Sequence, residues 1–154
     1  MGTMPLQLDA YLIDLLEVEA LLDFDETREV VGLTVNVEPQ HLLCETDPLA
    51  HQLLLSVPFE PIEPGSAPYR GRVVGRGFFH VSDELDPDQT VQYVIVNGAA
   101  ILLGLLRAQV SQVTALGRWG TFLLPPVNLH EAFVGSEMRA DSDHQVPSVQ
   151  DTDR

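Results

Sequence analysis

Between Leu6 and Ala20 apolar side chains occupy the even positions Leu6, Leu8, Ala10, Leu12, Leu16, Val18 and Ala20, with Asp14 the interruption. No helix keeps a two-residue period, because successive side chains alternate across a pleated strand and step round a helix by 3.6. The chain is therefore committed early to a long strand with one buried face. The odd positions mix Gln7, Asp9, Glu17 and Glu19 with Tyr11, Ile13 and Leu15. Asp14, a carboxylate in the apolar phase, is expected at a bulge or a subunit contact.

Three more strands are predicted at Glu29 to Val37, His51 to Phe59 and Tyr69 to Val81. The stretch Pro61 to Pro68 between the last two, with Pro61, Pro64, Gly65 and Pro68, reads as a loop. No gap is long enough for a crossover helix, so the strands must pair antiparallel. Gly71, Gly75 and Gly77 inside the last strand predict a bend or a closely approaching backbone.

After Val81 the period changes. Asp86 followed by Pro87 is a helix start, since Asp satisfies orphan amides and proline lacks the donor that the first turn leaves unused. Asn97-Gly98 would end a short helix, or turn a hairpin. From Ala99 the stripe Leu102, Leu103, Leu106, Val110, Val113 and Leu116 defines a longer helix with Gly117 as its C′ residue. Trp119 to Phe133 is aromatic and proline-stiffened and is predicted to be ordered but not helical. The expected fold is α+β: a four-stranded antiparallel sheet with a short and a long C-terminal helix packed on it. Residues 1–135 form the domain, and 136–154 a disordered acidic tail.

Charge narrows the function. The 154 residues carry 8 basic and 23 acidic side chains, a net −15, and every basic residue is arginine. Nucleic acid is excluded as a partner, because binding it requires a cationic face that releases counterions. The absence of lysine removes Walker-type phosphate binding and Schiff-base chemistry. With 45% hydrophobic residues in so acidic a chain, apolar surface is expected beyond one small core. The apolar run Ala99 to Leu106 is too short to cross a bilayer, and the acidic N-terminal segment is unlike a secretion signal. A lone cysteine, Cys44, fits a reducing compartment, so a cytoplasmic protein without direct membrane insertion is expected.

No motif assembles a reaction. Asp23-Phe24-Asp25-Glu26-Thr27 is similar to the strand-end Asp-x-Asp-x-Thr of haloacid-dehalogenase-type phosphatases, in which the first Asp attacks phosphorus. Here no lysine and no strand-helix alternation follow, and a polar turn accounts for the same residues. His41, His51, His80, His130 and His144 lack metal-ligand spacing, and Cys44 reads as a buried, inert thiol. The expectation is a non-enzyme without catalytic residues, metal or cofactor.

The segment from Gly98 to Phe133 resembles the SecB family of protein-export chaperones. Gly120-Thr121-Phe122 matches the family's Gly-Thr-Phe, and Pro126-Val127-Asn128-Leu129-His130-Glu131-Ala132-Phe133 its Pro-Val-Asn-Phe-x-x-Leu-Phe. The resemblance covers about residues 5 to 135. It implies an ATP-independent holdase that keeps unfolded preproteins translocation-competent as a homotetramer, a dimer of dimers. A version dedicated to a toxin-antitoxin system or another single partner is the alternative, and a phosphatase using Asp23 and Asp25 a remoter one. A client groove would draw on Phe78, Phe79, Trp119, Phe122, Leu123, Leu124 and Phe133. Family members dock on the SecA motor through acids on the exposed sheet face. By strand phase Glu19 keeps one acid, Leu15 replaces another, and Arg72 stands where a third would be, a charge reversal that opposes a basic partner.

Overall fold

The computed structural model describes residues 5–133. The expected tail, 136–154, lies outside the described residues, as do the two ends of the expected 1–135 domain. The strands are β1 (Leu6–Ala20), β2 (Leu33–Val35), β3 (Glu38–Leu43), β4 (Ala50–Pro61) and β5 (Tyr69–Val81). All pair antiparallel, in the order β1-β5-β4-β2, with β3 also on β4.

The sheet is four positions wide as expected, but its edge is built from two strands instead of one. The predicted strand Glu29 to Val37 survives only as β2, and β3 follows it along the same side of β4. Pro58 explains the break. Its carbonyl accepts from Asn36 N–H at 3.1 Å, so its missing donor faces the same side, and the ladder lapses between β2 and β3. Pro39 sits in β3, an edge strand, where proline is tolerated.

β1 pairs with β5 along its whole length, with register shifts between Leu8 and Ala10 and between Ile13 and Leu15. Asp9 and Asp14 are the extra residues, so the bulge expected at Asp14 is present and a second precedes it. Each bulge flips the alternation. Leu6 and Leu8, then Ile13, then Leu16, Val18 and Ala20 pack on the core, while Leu12 turns to the open face and is 53% exposed. The unbroken even phase read from the sequence therefore fails between the bulges. In β5 a Cβ on Gly71 would stand 2.0 Å from the Glu17 carbonyl oxygen, the close backbone approach that its composition foretold.

Helix α1 (Pro87–Tyr93) starts as expected, with the Asp86 carboxylate accepting from Asp88 N–H at 3.1 Å. It does not stop at Gly98. A π-helical turn, Val94–Gly98, carries it into α2 (Ala99–Thr114) without interruption. Two helices were expected, and one of 28 residues forms, which by length and composition alone is apolar enough to cross a bilayer. Gly98 is a packing residue: a Cβ there would press Leu53 and Phe79 at 3.3 Å. Burying Leu102, Leu103, Leu106 and Val110 on the sheet contributes ~1.5–3 kcal/mol per side chain, against about 1 kcal/mol for a glycine inside a helix. The tertiary term decides. Gly117 lies one position beyond C′ and donates to the Thr114 carbonyl at 2.8 Å.

The core lies between the sheet and this helix. Leu53, Leu55, Val57 and Phe59 of β4, Val73 and Phe79 of β5, and Val94, Leu102, Leu106 and Val110 are fully buried or nearly so. The opposite face of the sheet carries no helix among the described residues.

Candidate functional site

The segment after α2 crosses the start of β5 and is tied down by side chains. Tyr69 Oη accepts from Trp119 N–H at 3.1 Å and donates to the Gly120 carbonyl at 2.8 Å. Thr114 Oγ1 accepts from Phe122 N–H at 2.9 Å, and Arg107 Nε donates to the Leu124 carbonyl at 2.8 Å. Gly120 has φ +77°, a left-handed turn that disfavours any side chain, which explains its place in the Gly-Thr-Phe motif. Irregular backbone follows to Asn128, whose carboxamide oxygen accepts from Glu131 N–H at 3.3 Å. Residues 129–133 are helical, where an irregular path through Phe133 was expected.

The seven groove candidates divide. Phe79, Leu124 and Phe133 are buried in this subunit's core. Phe122 is half-buried, its ring tilted against Tyr69 and Phe59 at centroid distances of 5.7 and 6.4 Å. Trp119 is half-buried too, with Nε1–H donating to the Leu21 carbonyl at 2.8 Å and its ring edge-on to Phe24 at 5.3 Å. Leu123 is 65% exposed. Phe78 pairs with Ala10 and Gln52 and points to the open sheet face, away from the other six.

Glu19, Leu15 and Arg72 do share that open face. They stand on β1 and β5, paired respectively with Arg70, Val74 and Glu17. Arg70 Nε reaches Glu19 at 2.8 Å and Arg76 reaches Asp14 at 3.1 Å. Arg72 Nε donates to Ser56 Oγ at 3.0 Å. Arg70, Arg72 and Arg76, in one strand phase that Val74 interrupts, thus face outward from β5, each beside an acid or a hydroxyl.

Sequence reasoning missed a cleft at the other end of the sheet. It encloses about 450 Å³ between the β3–β4 connection, the end of β5 and the start of α1. His51 and Cys44 both line it. His51 is a core residue, 4% exposed, whose Nδ1 lies 2.8 Å from His41 Nε2. Burial pushes both imidazoles below the ordinary histidine range, so the pair is neutral at pH 7. Nearby, exposed His80 bridges Asp9 of β1 and Asp47 of the β3–β4 connection, and hydrogen bonds to these carboxylates raise its pKa. Cys44 is exposed, not buried as expected, with Sγ 3.3 Å from Thr46 Oγ1, a contact that lowers the thiol pKa. These residues come from separate segments, so no local spacing announces them.

Asp25 forms a local turn: its Oδ1 accepts from Thr27 N–H at 3.0 Å and Thr27 Oγ1 at 2.6 Å, holding its carboxyl below the usual range. The loop carrying Asp23 and Asp25 leads into antiparallel β2, not into the crossover helix that the phosphatase motif serves.

Two further surfaces are unpartnered among the described residues. The outer edge of β1 pairs with no strand. The outer face of α2 and its end present Ile101, Val113 and Leu116, the last 99% exposed.

No family model matches the chain, and no curated protein matches its sequence. Solved structures do. A SecB-like chaperone of Mycobacterium tuberculosis, in complex with a ChAD peptide from the HigA1 antitoxin, superposes with a TM-score of 0.57 at 15% identity, covering 80% of this chain and 91% of that one. A protein of unknown function from Streptococcus agalactiae gives 0.51 at 16% identity, covering 81% and 100%. The antiparallel sheet and the long helix across one of its faces give this chain a divergent SecB-like fold.

Proposed function

We propose that this chain is an ATP-independent, cytoplasmic holdase that binds unfolded proteins through accessible apolar surface and works as a dimer of dimers. The observation that carries the reading is the joining of a SecB-like fold to apolar side chains left in water on an acidic, lysine-free chain. Leu123, beside Trp119 and Phe122, would touch client, with buried Leu124 in the floor; Phe79, ten residues along β5 from Tyr69, is core at the far end of the sheet. Each client side chain fully buried there contributes ~1.5–3 kcal/mol without any sequence being read. The free edge of β1 and the apolar outer face of α2 support self-association, since exposed edges and large apolar patches are ordinarily covered.

Purified protein should suppress the aggregation of a chemically unfolded client with no nucleotide present. Aggregation undiminished at molar excess of the assembled particle would remove the proposal.

A second reading has its own support. The Mycobacterium tuberculosis relative was solved with a peptide from an antitoxin, and Arg72 on the open sheet face disfavours a basic motor domain such as that of SecA. A chaperone dedicated to a single partner would bind that partner far more tightly than several unrelated unfolded proteins. Comparable affinities across unrelated clients favour the general holdase and preprotein export.

A further inference from the structure

His80 stands near the end of β5 with an acceptor on each side. Its Nδ1 meets the Asp9 carboxylate of β1, and its Nε2 lies 3.1 Å from Asp47 Oδ2 in the β3–β4 connection. A neutral imidazole has one N–H and one lone pair, whereas an ionised carboxylate only accepts. Both contacts are hydrogen bonds at once only when the ring is an imidazolium. Asp9 reaches the ring because it is the extra residue of the first bulge: Leu8 stands opposite Phe79 and Ala10 opposite Phe78, and the unpaired residue between them turns its carboxylate to His80. Bulges commonly re-aim one side chain in this way.

Asp47 also organises the connection. Its Oδ1 accepts from Leu49 N–H at 3.0 Å and its carbonyl from Ala50 N–H at 3.1 Å. Cys44 N–H donates to the Ala50 carbonyl at 3.3 Å, and Val81 N–H to the Leu49 carbonyl at 3.0 Å. These backbone bonds close the base of the connection, and through Asp47 its tip is tied to the side chains of β5 and β1. Asp9 from β1 and Asp47 from the connection are the charges that face the ring. Its register partners are neutral, Gln7 on β1 and Ala50 on β4, and on the core side of β4 burial keeps His51 uncharged. Glu45 precedes Asp47 in the connection, and Asp83 and Glu84 follow the end of β5.

We infer that His80 is a proton-operated clasp, which when charged fastens the β3–β4 connection to the first bulge of β1 across β5 and when neutral keeps Asp9 and releases Asp47. Asp9 raises the ring's pKa more than Asp47 does, so the last ring proton stays on Nδ1. Nε2 then turns a lone pair toward Asp47 Oδ2, and two carboxylates flank the ring with no cation between them. The connection supplies Cys44, Pro48 and Leu49 to one wall of the cleft, so pH sets how firmly that wall is held. The clasp works the same way whatever the chain binds, and no client enters its test.

The test follows amide hydrogen exchange of the full chain at about pH 6 and about pH 8, each rate taken relative to an unstructured amide at the same pH. Protection at Leu49 and Ala50 should fall roughly fivefold at the higher pH, the ratio a single hydrogen bond supports. Protection in the middle of β4 and β5 should stay level. Nitrogen NMR of the His80 ring should show both nitrogens protonated at the lower pH and Nδ1 alone at the higher. His80→Gln cannot carry the charge and should give the lower protection at both pH values. Asp47→Asn keeps an oxygen for the Leu49 N–H and gains an N–H for the neutral ring, so the fall should disappear. Cys44, whose thiol pKa Thr46 lowers, sits in the same connection, and Cys44→Ser should leave the fall intact. A fall that is absent from the unmodified chain, that persists in His80→Gln or Asp47→Asn, or that vanishes in Cys44→Ser overturns the clasp. A neutral ring protonated on Nε2 overturns it too. Should His80→Gln not fold, the ring spectrum and Asp47→Asn still decide.

Discussion

Tyr69 reaches from the start of β5 to grip the backbone at Trp119, its hydroxyl accepting from the Trp119 N–H at 3.1 Å while donating to the next carbonyl, that of Gly120, at 2.8 Å. One hydroxyl thus holds both sides of the left-handed turn at Gly120. Tyr69→Phe keeps the ring packed on Phe122 but leaves two backbone groups without their partner. We expect a loss of about 1–3 kcal/mol in urea unfolding. Faster amide exchange should be confined to the segment after α2; a uniform increase would place the effect elsewhere.

Leu123 is the sharper probe of client contact than Trp119. The Trp119 indole is committed to Leu21 and Phe24, so its substitution mixes binding with stability. Leu123→Asp puts a charge on a side chain already 65% exposed, and stability should change by no more than ~0.5 kcal/mol. Aggregation suppression should fall several-fold. Unchanged suppression at unchanged stability would move the client surface away from this segment.

How much of this was legible beforehand differs by element. β1, β4 and β5 were readable because half-buried strands print their period directly. β3 was not: Glu38-Pro39-Gln40-His41 has no apolar alternation, and it is a strand because β4 offers it an edge. The helix join at Gly98 was hidden for a related reason, since Asn97-Gly98 carries a local turn signal that packing on Leu53 and Phe79 overrides. Of the site, the turn at Gly120 stood out as a motif. The cleft around His51 did not, because its walls come from two stretches of chain, 43–51 and 81–91, that meet only after folding.

At Gly71 the β1 backbone presses on β5. A methyl group there would meet the Glu17 carbonyl oxygen at 2.0 Å and the Phe59 ring at 2.9 Å. Neither neighbour yields easily, one being backbone and the other a fully buried core ring. Gly71→Ala should cost roughly 3 kcal/mol or more, read as a lowered thermal midpoint. A near-neutral result would mean that β1 can slide on β5.

His80 should give stability a pH dependence of known sign. Hydrogen bonds to Asp9 and then Asp47 raise its pKa in the folded chain above the ordinary 6.5. Its contribution is therefore complete below 6.5 and is lost as pH climbs through the raised value. His41 and His51 act oppositely: burial lowers their pKa values, so their contribution holds above 6.5 and is lost as pH falls through the lowered ones. Between about pH 6 and about pH 8 the thermal midpoint should drop in the unmodified chain relative to His80→Gln. Parallel profiles would show that the Asp9 and Asp47 contacts are not made in solution.

The paired bulges of β1 have an arithmetic consequence. Each shifts side-chain parity by one and the second undoes the first, so the two ends of the strand agree in phase although the middle does not. Deleting Asp14 alone would leave Ile13 opposite Gly75, Leu15 opposite Val74 and Leu16 opposite Val73, so the bulge closes and every remaining side chain keeps its face; the same holds for Asp9 between Leu8 and Ala10. A lineage carrying this strand can gain or shed either insertion by itself, and Asp9 and Asp14 are separable in heredity although together they restore one numbering phase to the two ends.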